Sequence, residues 1–378
     1  MSGTIDQTTG DPMVLESDDI VFSRAALKTL GELPGTGCGA LSPLARITPP
    51  DAPADHRALL VGLTALDGDL SALVPALLDP PCTIALLLGD GGTALMGQYL
   101  WPQADGRGPG FRVAVEDAAL RFSGPLSSEQ VWLSALDLLS VNALPEAEPL
   151  QMTFDLEQFW ATLTLLDAYR MALLRRRLAR QGGDPAGVSS AGLAEAWNTG
   201  LAVLDPGWSV SLFALLRPDL IPPGFAERVP AVIEGMDAAG LLTKLPGEPN
   251  DPLGDVYLFG PGLERLCQAV LSGARQVGLS VERLRAVREI ELTTFGGWRT
   301  PGGFWLADLS AVPLHGTGTV SLTLLGKTTL SALIEGVLGV RPDLEAEETL
   351  AQAPTNSPYS RQALIEALMA LPKEQPRQ

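Results

Sequence analysis

The segment 319–338, TVSLTLLGKTTLSALIEGVL, contains glycine, lysine and two threonines in the order that ends a phosphate-binding P-loop. A P-loop also needs a glycine five positions earlier, from which the backbone amides curl around the phosphates. Ser321 occupies that position, and residues 320–324 alternate apolar and polar types as in a half-buried strand. We therefore predict a strand, a turn and a helix capped by Thr328 or Thr329, and no nucleotide site.

Hydrolytic chemistry has weak support in the sequence. GVSSAG (187–192) resembles the GxSxG nucleophile elbow, but Ala191 replaces the second glycine and no strand is expected before it. We predict that this segment caps a helix. The two histidines, His56 and His315, have no patterned carboxylate or cysteine partner. A hydrolase-like site assembled by the fold from scattered residues stays open as an alternative.

Metal and cofactor sites are not predicted. No cluster of histidine, cysteine and aspartate has ligand spacing, and Cys38, Cys82 and Cys267 lie far apart without a CxxC pair. GTGCGA (35–40) is glycine-rich but follows a predicted helix, not the strand that a dinucleotide-binding loop requires. We expect no cofactor, no metal and three reduced, structural cysteines.

The charge disfavours nucleic acid and membrane surfaces as partners. The 378 residues include 44 acidic and 26 basic side chains, a formal net charge of −18, which repels phosphate groups. No apolar run reaches the roughly 18 residues of a membrane span, and the acidic first residues do not resemble a signal peptide. We expect a soluble, cytoplasmic protein.

Hydrophobic periodicity predicts a mixed α+β fold. Helices are expected in 20–30, 54–68 and 69–79; strands follow in 82–101 and 111–122, and a helix beginning near Ser127 or Ser128 comes next. A long helix is expected over 153–181 and further helices over 190–216. The run SVERLRA (280–286) is predicted to extend a preceding helix, and three strands and a last helix follow it.

The order of helices, strands and one closing helix occurs twice, which suggests internal duplication. We predict these parts: a disordered tail (1–19), an N-terminal α+β unit (20–145), a helical connector (146–205), a C-terminal α+β unit (206–340) and a polar tail with a short helix (341–378).

The segment 229–266 resembles a winged-helix module, with a helix, a β wing and another helix. A DNA-binding recognition helix would be basic, whereas residues 229–240 carry Glu234 and Asp237, with only Arg228 at the edge. We predict protein contacts for this module and keep a DNA-binding regulator as an alternative.

Two tryptophans are predicted to bind a protein partner. Trp298 is expected in a turn beside Arg299, and Trp101 is expected next to a Gly/Pro-rich loop. Tryptophan and arginine concentrate at interface hot spots. We therefore predict Trp101, Trp298 and Arg299 as partner-binding residues.

The order of elements resembles the EspG family, the cytoplasmic chaperones of mycobacterial type VII (ESX) secretion. The likeness is carried by DIVFSRAALKTLGEL, ALLVGLTALDGDLSALVPALL, the strands CTIALLLGDGGTALMGQYLW and FRVAVED, SSEQVWLSALDLL, and REIELTTFGGWRTPGGFWLADL. The resemblance implies two α+β units in a pseudo-twofold arrangement around a central antiparallel sheet. It also implies a non-enzymatic role in holding the apolar tip of an exported helical-hairpin protein, with Trp101, Arg107 and Phe111 in the 101–111 loop meeting the cargo.

The sequence thus leads to a non-enzymatic cytoplasmic adaptor or chaperone that binds a protein partner, expected to be helical. Its oligomeric state is left open.

Overall fold

A computed structural model describes the following parts of the chain. They are residues 13–16, 19–23, 26–27, 29–30, 38–46, 59–60, 63–64, 73–90, 93–101, 110–115, 119–185, 187–247, 254–271, 275–286, 289–313, 318–338, 366 and 369.

The described strands form two antiparallel sheets. In chain order they are β1 Met13–Glu16, β2 Asp19–Ser23, β3 Cys82–Asp90, β4 Thr93–Trp101, β5 Gly110–Val115, β6 Ala119–Leu126, β7 Leu150–Asp155, β8 Val188–Ser189, β9 Leu242–Leu245, β10 Val256–Phe259, β11 Arg275–Ala286, β12 Glu289–Thr300, β13 Gly303–Asp308 and β14 Thr319–Leu325. The large sheet has eleven strands in the order β1-β2-β6-β5-β4-β3-β11-β12-β13-β14-β7, and the small one has the order β8-β10-β9.

The longer described helices flank the large sheet. They are α1 Leu73–Leu78, α2 Ser128–Leu138, α3 Leu156–Leu178, α4 Ser190–Val203, α5 Ser209–Leu216, α6 Phe225–Ala238, α7 Pro261–Leu271 and α8 Lys327–Leu338, with short 3-10 turns at Pro43–Arg46, Val141–Ala143 and Pro218–Leu220. The predicted α+β class is confirmed.

The strand order of the large sheet is symmetric about its centre. β3 and β11 pair at the middle, β4, β5 and β6 follow outward on one side, and β12, β13 and β14 follow outward on the other. In the chain, α1 comes before β3–β6 and α2 follows them. In the same way, α7 comes before β11–β14 and α8 follows them. Descent of the two sets from one duplicated unit stays a prediction.

The first described residues differ from the prediction. Met13–Glu16, inside the segment predicted to be disordered, is a strand paired with β2. Ile20 and Phe22, predicted to begin a helix, lie in β2 and pair with β6, where the Phe22 ring meets that of Phe122 edge to face at 5.6 Å. Helical structure begins only after Ser23. The helical spacing failed here because the alternate residues Ile20 and Phe22 fit a strand equally well.

One face of the sheet centre is covered by a two-helix layer. Helices α2 and α8 lie side by side there, and their apolar side chains share a hydrophobic cluster with β3, β4, β11, β12 and β13. We call this the α2–α8 layer.

The opposite face of the second half carries a helical bundle. Helices α3 to α7 and the small sheet share one hydrophobic cluster with side chains of β12, β13 and β14. The small sheet joins β9 and β10, the predicted wing, to β8, so the winged-helix-like element extends back to α3 and α4. The predicted boundary at 205/206 therefore runs through a single core, and the predicted helical connector begins with strand β7.

Strands β11 and β12 are longer than predicted. SVERLRA lies in β11, not in a helix, and pairs with both β3 and β12. Strand β12 continues through Gly296 and Gly297 to Trp298 and Arg299, where the turn was predicted. A side chain at Gly296 would collide with the Phe213 ring, and one at Gly278 would lie 2.8 Å from Leu216. These glycines let α5 approach the sheet closely and do not end the strand.

Candidate functional site

The GKTT segment forms the start of α8 without a phosphate-sized loop. β14 ends at Leu325 and α8 begins at Lys327, so one glycine separates strand and helix. The amide of Thr328 donates to Oε1 of Glu146 over 3.3 Å, and the Thr328 hydroxyl donates to the same oxygen over 2.6 Å. A helix N-terminus favours an anion, and Glu146 supplies one from within the chain. The predicted cap by Thr328 or Thr329 is wrong, because α8 begins at Lys327 and both threonines lie inside its first turn.

The other two predicted helix caps are present. Ser127 accepts from the Gln130 amide and forms a capping box with it at the start of α2. Ser189 accepts from the Gly192 amide over 3.1 Å at the start of α4, so GVSSAG is a cap. A two-residue strand, β8, lies within the segment at Val188–Ser189.

The structure does not present the predicted aromatic partner-binding residues to a partner. Trp101 and Phe111 are each 1% exposed, and Trp298 is 0% exposed. Trp298 lies in β12, where its ring packs 5.6 Å from that of Phe213. The prediction placed these rings beside turns because glycine and proline flank them. In the structure they lie on strands, on faces that are buried in the core. Arg107 lies outside the described residues.

Candidate catalytic groups are not brought together in the described residues. His56 and His315 fall outside these residues. Cys82 and Cys267 are buried and Cys38 is exposed, all as free thiols, and burial raises the pKa of the Cys267 thiol to about 12. No group of three or more potential metal ligands occurs among the residues that the structure describes.

One buried polar cluster joins α3 and α5 to the sheet. The carboxylate of Asp167 in α3 accepts the amides of Ser209 and Val210 over 2.9 and 2.8 Å. Trp298 Nε1 donates to the Ser209 hydroxyl over 3.3 Å. In the turn before α5, the Gly207 carbonyl accepts from Gln276 of β11 over 2.8 Å.

This cluster positions α5 and does not form an open site. Asp167 is fully buried, and desolvation raises the pKa of its carboxyl to about 6, although the Val210 and Ser209 amides and the Arg170 charge favour its ionised form. A carboxylate at the start of α5 satisfies amides that the helix leaves free. Its two amide bonds give Asp167 a structural role.

The winged-helix-like element offers an acidic outer surface. In α6, the helix that would enter DNA, Glu227 and Glu234 are exposed, and Pro230 lies in the middle of the helix. Arg228 donates to Glu157 over 2.9 Å. Such a surface repels phosphate and does not favour the DNA-binding alternative.

The strongest candidate site is an apolar pocket under α8, which we call the α8 pocket. Its enclosed cavity measures about 20 Å³, and its mouth opens to solvent. The described residues that line it are all apolar or glycine: Leu139, Val277, Leu279, Phe295, Gly296, Phe304, Leu306, Leu330, Leu333, Ile334 and Val337. Leu333 and Val337 are half-buried, so a bound apolar group would remove more of their surface from water.

Arginines of β11 and β12 lie at one end of this pocket. Arg299 is directly opposite Phe304 in the β12–β13 pairing and opposite Arg275 in the β11–β12 pairing. Residues directly opposite in a sheet share a face, so both arginines are on the pocket side. The Arg299 Nε is buried, with no hydrogen-bond partner in the described parts of the chain. Of the predicted partner-binding residues, Arg299 therefore lies beside the pocket.

Sequence reasoning missed the pocket, although one signal for it exists. Leu330, Leu333, Ile334 and Val337 recur at the spacing of one helix face. This spacing predicts an apolar face, but it does not show that the sheet below leaves part of that face uncovered.

No protein-family model matches the chain, and no curated protein matches it. Among the described helices, none has both the length and the apolar character needed to cross a bilayer.

Proposed function

We propose that this protein is a non-enzymatic adaptor that holds apolar side chains of a protein partner in the α8 pocket. The observation that carries the proposal is the lining of the pocket, which is apolar throughout and partly open to water. A lining without an acid, a base or a nucleophile suits binding better than chemistry.

The pocket favours a protein segment over a small polar ligand. Ligand pockets normally include a few polar groups that fix the orientation of the ligand, and the lining of this pocket supplies none. Its enclosed part is only about 20 Å³, so side chains of leucine or methionine size from a partner would cover its open mouth and pack against Leu333 and Val337. Burying apolar area contributes roughly 25 cal/mol per Å², so a few such side chains would give substantial affinity.

A helical partner fits this geometry. Apolar side chains at positions i, i+3 and i+4 of an amphipathic helix form a compact cluster that can enter one groove. Arg299, at the end of the pocket, supplies a donor for a carbonyl or carboxylate of the partner, and arginine is enriched at hot spots.

The resemblance to the EspG family suggests the finer form of the proposal. In that form the protein is a cytoplasmic chaperone of a secretion system, and the partner is an exported helical-hairpin protein whose apolar tip needs cover. The acidic charge of −18 would keep such a complex soluble.

Affinity capture with matched variants tests the proposal. The tagged chain, purified from its native cells at moderate salt, should carry one helix-rich protein at near-equal amounts. Leu333→Asp, which puts a charge in the pocket, should reduce that protein at least tenfold, and Ala332→Asp, on the exposed side of α8, should not. Thermal unfolding of both variants checks that the fold is intact.

Two results would overturn the proposal. One is a partner retained equally by both variants, which would place binding elsewhere on the molecule. The other is a phenotype that persists in Leu333→Asp but disappears in His56→Ala or His315→Ala at unchanged stability, which would support the hydrolase-like alternative.

A further inference from the structure

The segment 359–371, YSRQALIEALMAL, has the pattern of a short amphipathic helix. Leu364, Leu368 and Leu371 follow one another at spacings of four and three residues, which places them on one helix face. Glu366 and Met369 are the described residues of this segment; both are helical and exposed. At about 100° per residue, they lie on a different side from the three leucines.

The α8 pocket is within reach of this segment. Helix α8 ends at Leu338, next to the pocket residue Val337. Residues 339–358 could span roughly 65 Å if extended, whereas the 12 residues of α8 cover about 18 Å. The link therefore does not prevent the leucine face from lying along α8.

Charge favours the same placement. The link contains Asp343, Glu345, Glu347 and Glu348, and Arg275 and Arg299 lie on the pocket side of the sheet. Opposite charges steer two surfaces together, and linkage of the segment to the same chain raises its effective concentration at the pocket.

We propose that segment 359–371 docks its Leu364, Leu368 and Leu371 face in the α8 pocket of the same chain, and that a partner must displace it. This inference rests on the proposed function, because it assigns a regulator to the same pocket. Under this inference, segment 359–371 covers the α8 pocket whenever no partner is bound.

A peptide of residues 359–371 with a fluorescent label tests the inference by anisotropy. The full chain and a chain ending at residue 358 are compared. The shortened chain should bind the peptide at least tenfold more tightly, because its pocket is uncovered. Leu333→Asp in the shortened chain should abolish binding, and Ala332→Asp should leave it unchanged. In the full chain, Leu364→Asp combined with Leu368→Asp should restore peptide binding, whereas Met369→Asp should not.

The results separate this inference from the proposed function. If the shortened chain does not bind the peptide, or if Leu333→Asp leaves peptide binding intact, the inference fails, and the effect of Leu333→Asp on partner capture still tests the proposed function separately. If the peptide binds as expected but capture is insensitive to Leu333→Asp, only the proposed function fails. If the full chain is a dimer and the shortened chain a monomer, the segment docks on a second copy, which overturns docking within one chain.

Discussion

Among the described residues of the α2–α8 layer, a pocket beside α2 and the α8 pocket differ in chemistry. The pocket beside α2 encloses about 10 Å³ and has a mixed lining: Cys82, Ile84, Trp101, Ser128, Val131, Arg283 and Leu338. The α8 pocket encloses about 20 Å³ and is lined by apolar residues and glycine alone. The two helices close equivalent sets of strands, yet only one pocket suits apolar side chains.

The polar groups that line the pocket beside α2 can form hydrogen bonds with water and with other groups of the protein. Arg283 donates to the Val337 carbonyl over 2.6 Å, and Trp101 Nε1 is a buried donor with no hydrogen-bond partner in the described part of the chain. A buried water needs such polar neighbours. Among the described residues, the lining of the α8 pocket has no polar side chain to bind water. Covering the α8 pocket with a partner is therefore more favourable than covering the pocket beside α2.

The largest expected effect compares two buried leucines of this layer. Leu86 in β3 lines neither pocket, and Leu306 in β13 lines the α8 pocket. Leu86→Ala should reduce the free energy of unfolding by about 3–5 kcal/mol, and Leu306→Ala by only about 2–3 kcal/mol, because Leu306 borders the α8 pocket, which opens to solvent, on one side. Denaturant unfolding measures both values. Equal losses would show that the α8 pocket is as well packed as the rest of the layer.

The second prediction concerns the residue that caps α5. The buried carboxylate of Asp167 caps this helix, whereas the hydroxyl of Ser127 caps α2. Burial raises the pKa of Asp167 from 3.8 to about 6, so the folded state binds more protons than the unfolded state between these values. Stability therefore falls as pH rises through this window. Relative to wild type, Asp167→Asn should gain roughly 2–3 kcal/mol between pH 4 and pH 7.

Denaturant unfolding at several pH values, with Asp205→Asn as a control at the turn before α5, tests this. A wild-type-minus-variant difference that stays constant with pH would contradict the raised pKa.

The third prediction is that a larger side chain in α2 lowers the stability of the protein, whereas a larger side chain in α8 does not. Ala135 in α2 is fully buried, so Ala135→Leu should overpack the layer and cost about 1–3 kcal/mol. Leu333→Phe in α8 should fill part of the α8 pocket and cost nothing, or stabilise by up to about 1 kcal/mol. Thermal unfolding distinguishes the signs. A large loss in Leu333→Phe would mean that α8 cannot accommodate an additional group.

The smallest effect concerns the helix caps. Ser127→Ala removes a local cap from α2, and Glu146→Gln weakens the distant cap of α8. Each should cost about 1 kcal/mol, and raised salt should reduce only the effect of Glu146→Gln, because only Glu146 is charged. A salt-dependent effect at Ser127 would be contrary to this.

Structural features that depend on residues close in sequence could be predicted, and features that depend on residues far apart in sequence could not. The α2 cap was predictable because Ser127 and Gln130 are three residues apart. The α8 cap was not, because Glu146 and Thr328 are 182 residues apart. The strand pattern beside GKTT was correctly interpreted, since alternation within 320–324 is local. The glycines in β12 were misinterpreted as part of a turn, because close packing needs glycine as much as a turn does: Gly296 lies against Phe213 of α5, and Gly297 lies against Trp305 of β13.

The candidate site was less predictable than the fold. Of the five predicted partner-binding residues, Trp101, Phe111 and Trp298 are buried, whereas Arg299 lies beside the α8 pocket. The pocket depends on side-chain volumes from α8, β11, β12 and β13, which meet only in the folded chain. No pattern within one segment reports how well four segments fill the space between them.

The most direct test of the α8 pocket as the partner site is amide hydrogen exchange of the chain with and without its captured partner. Binding in this pocket predicts slower exchange in β13 and α8 and unchanged exchange in α6. Slower exchange in α6 with α8 unchanged would contradict it.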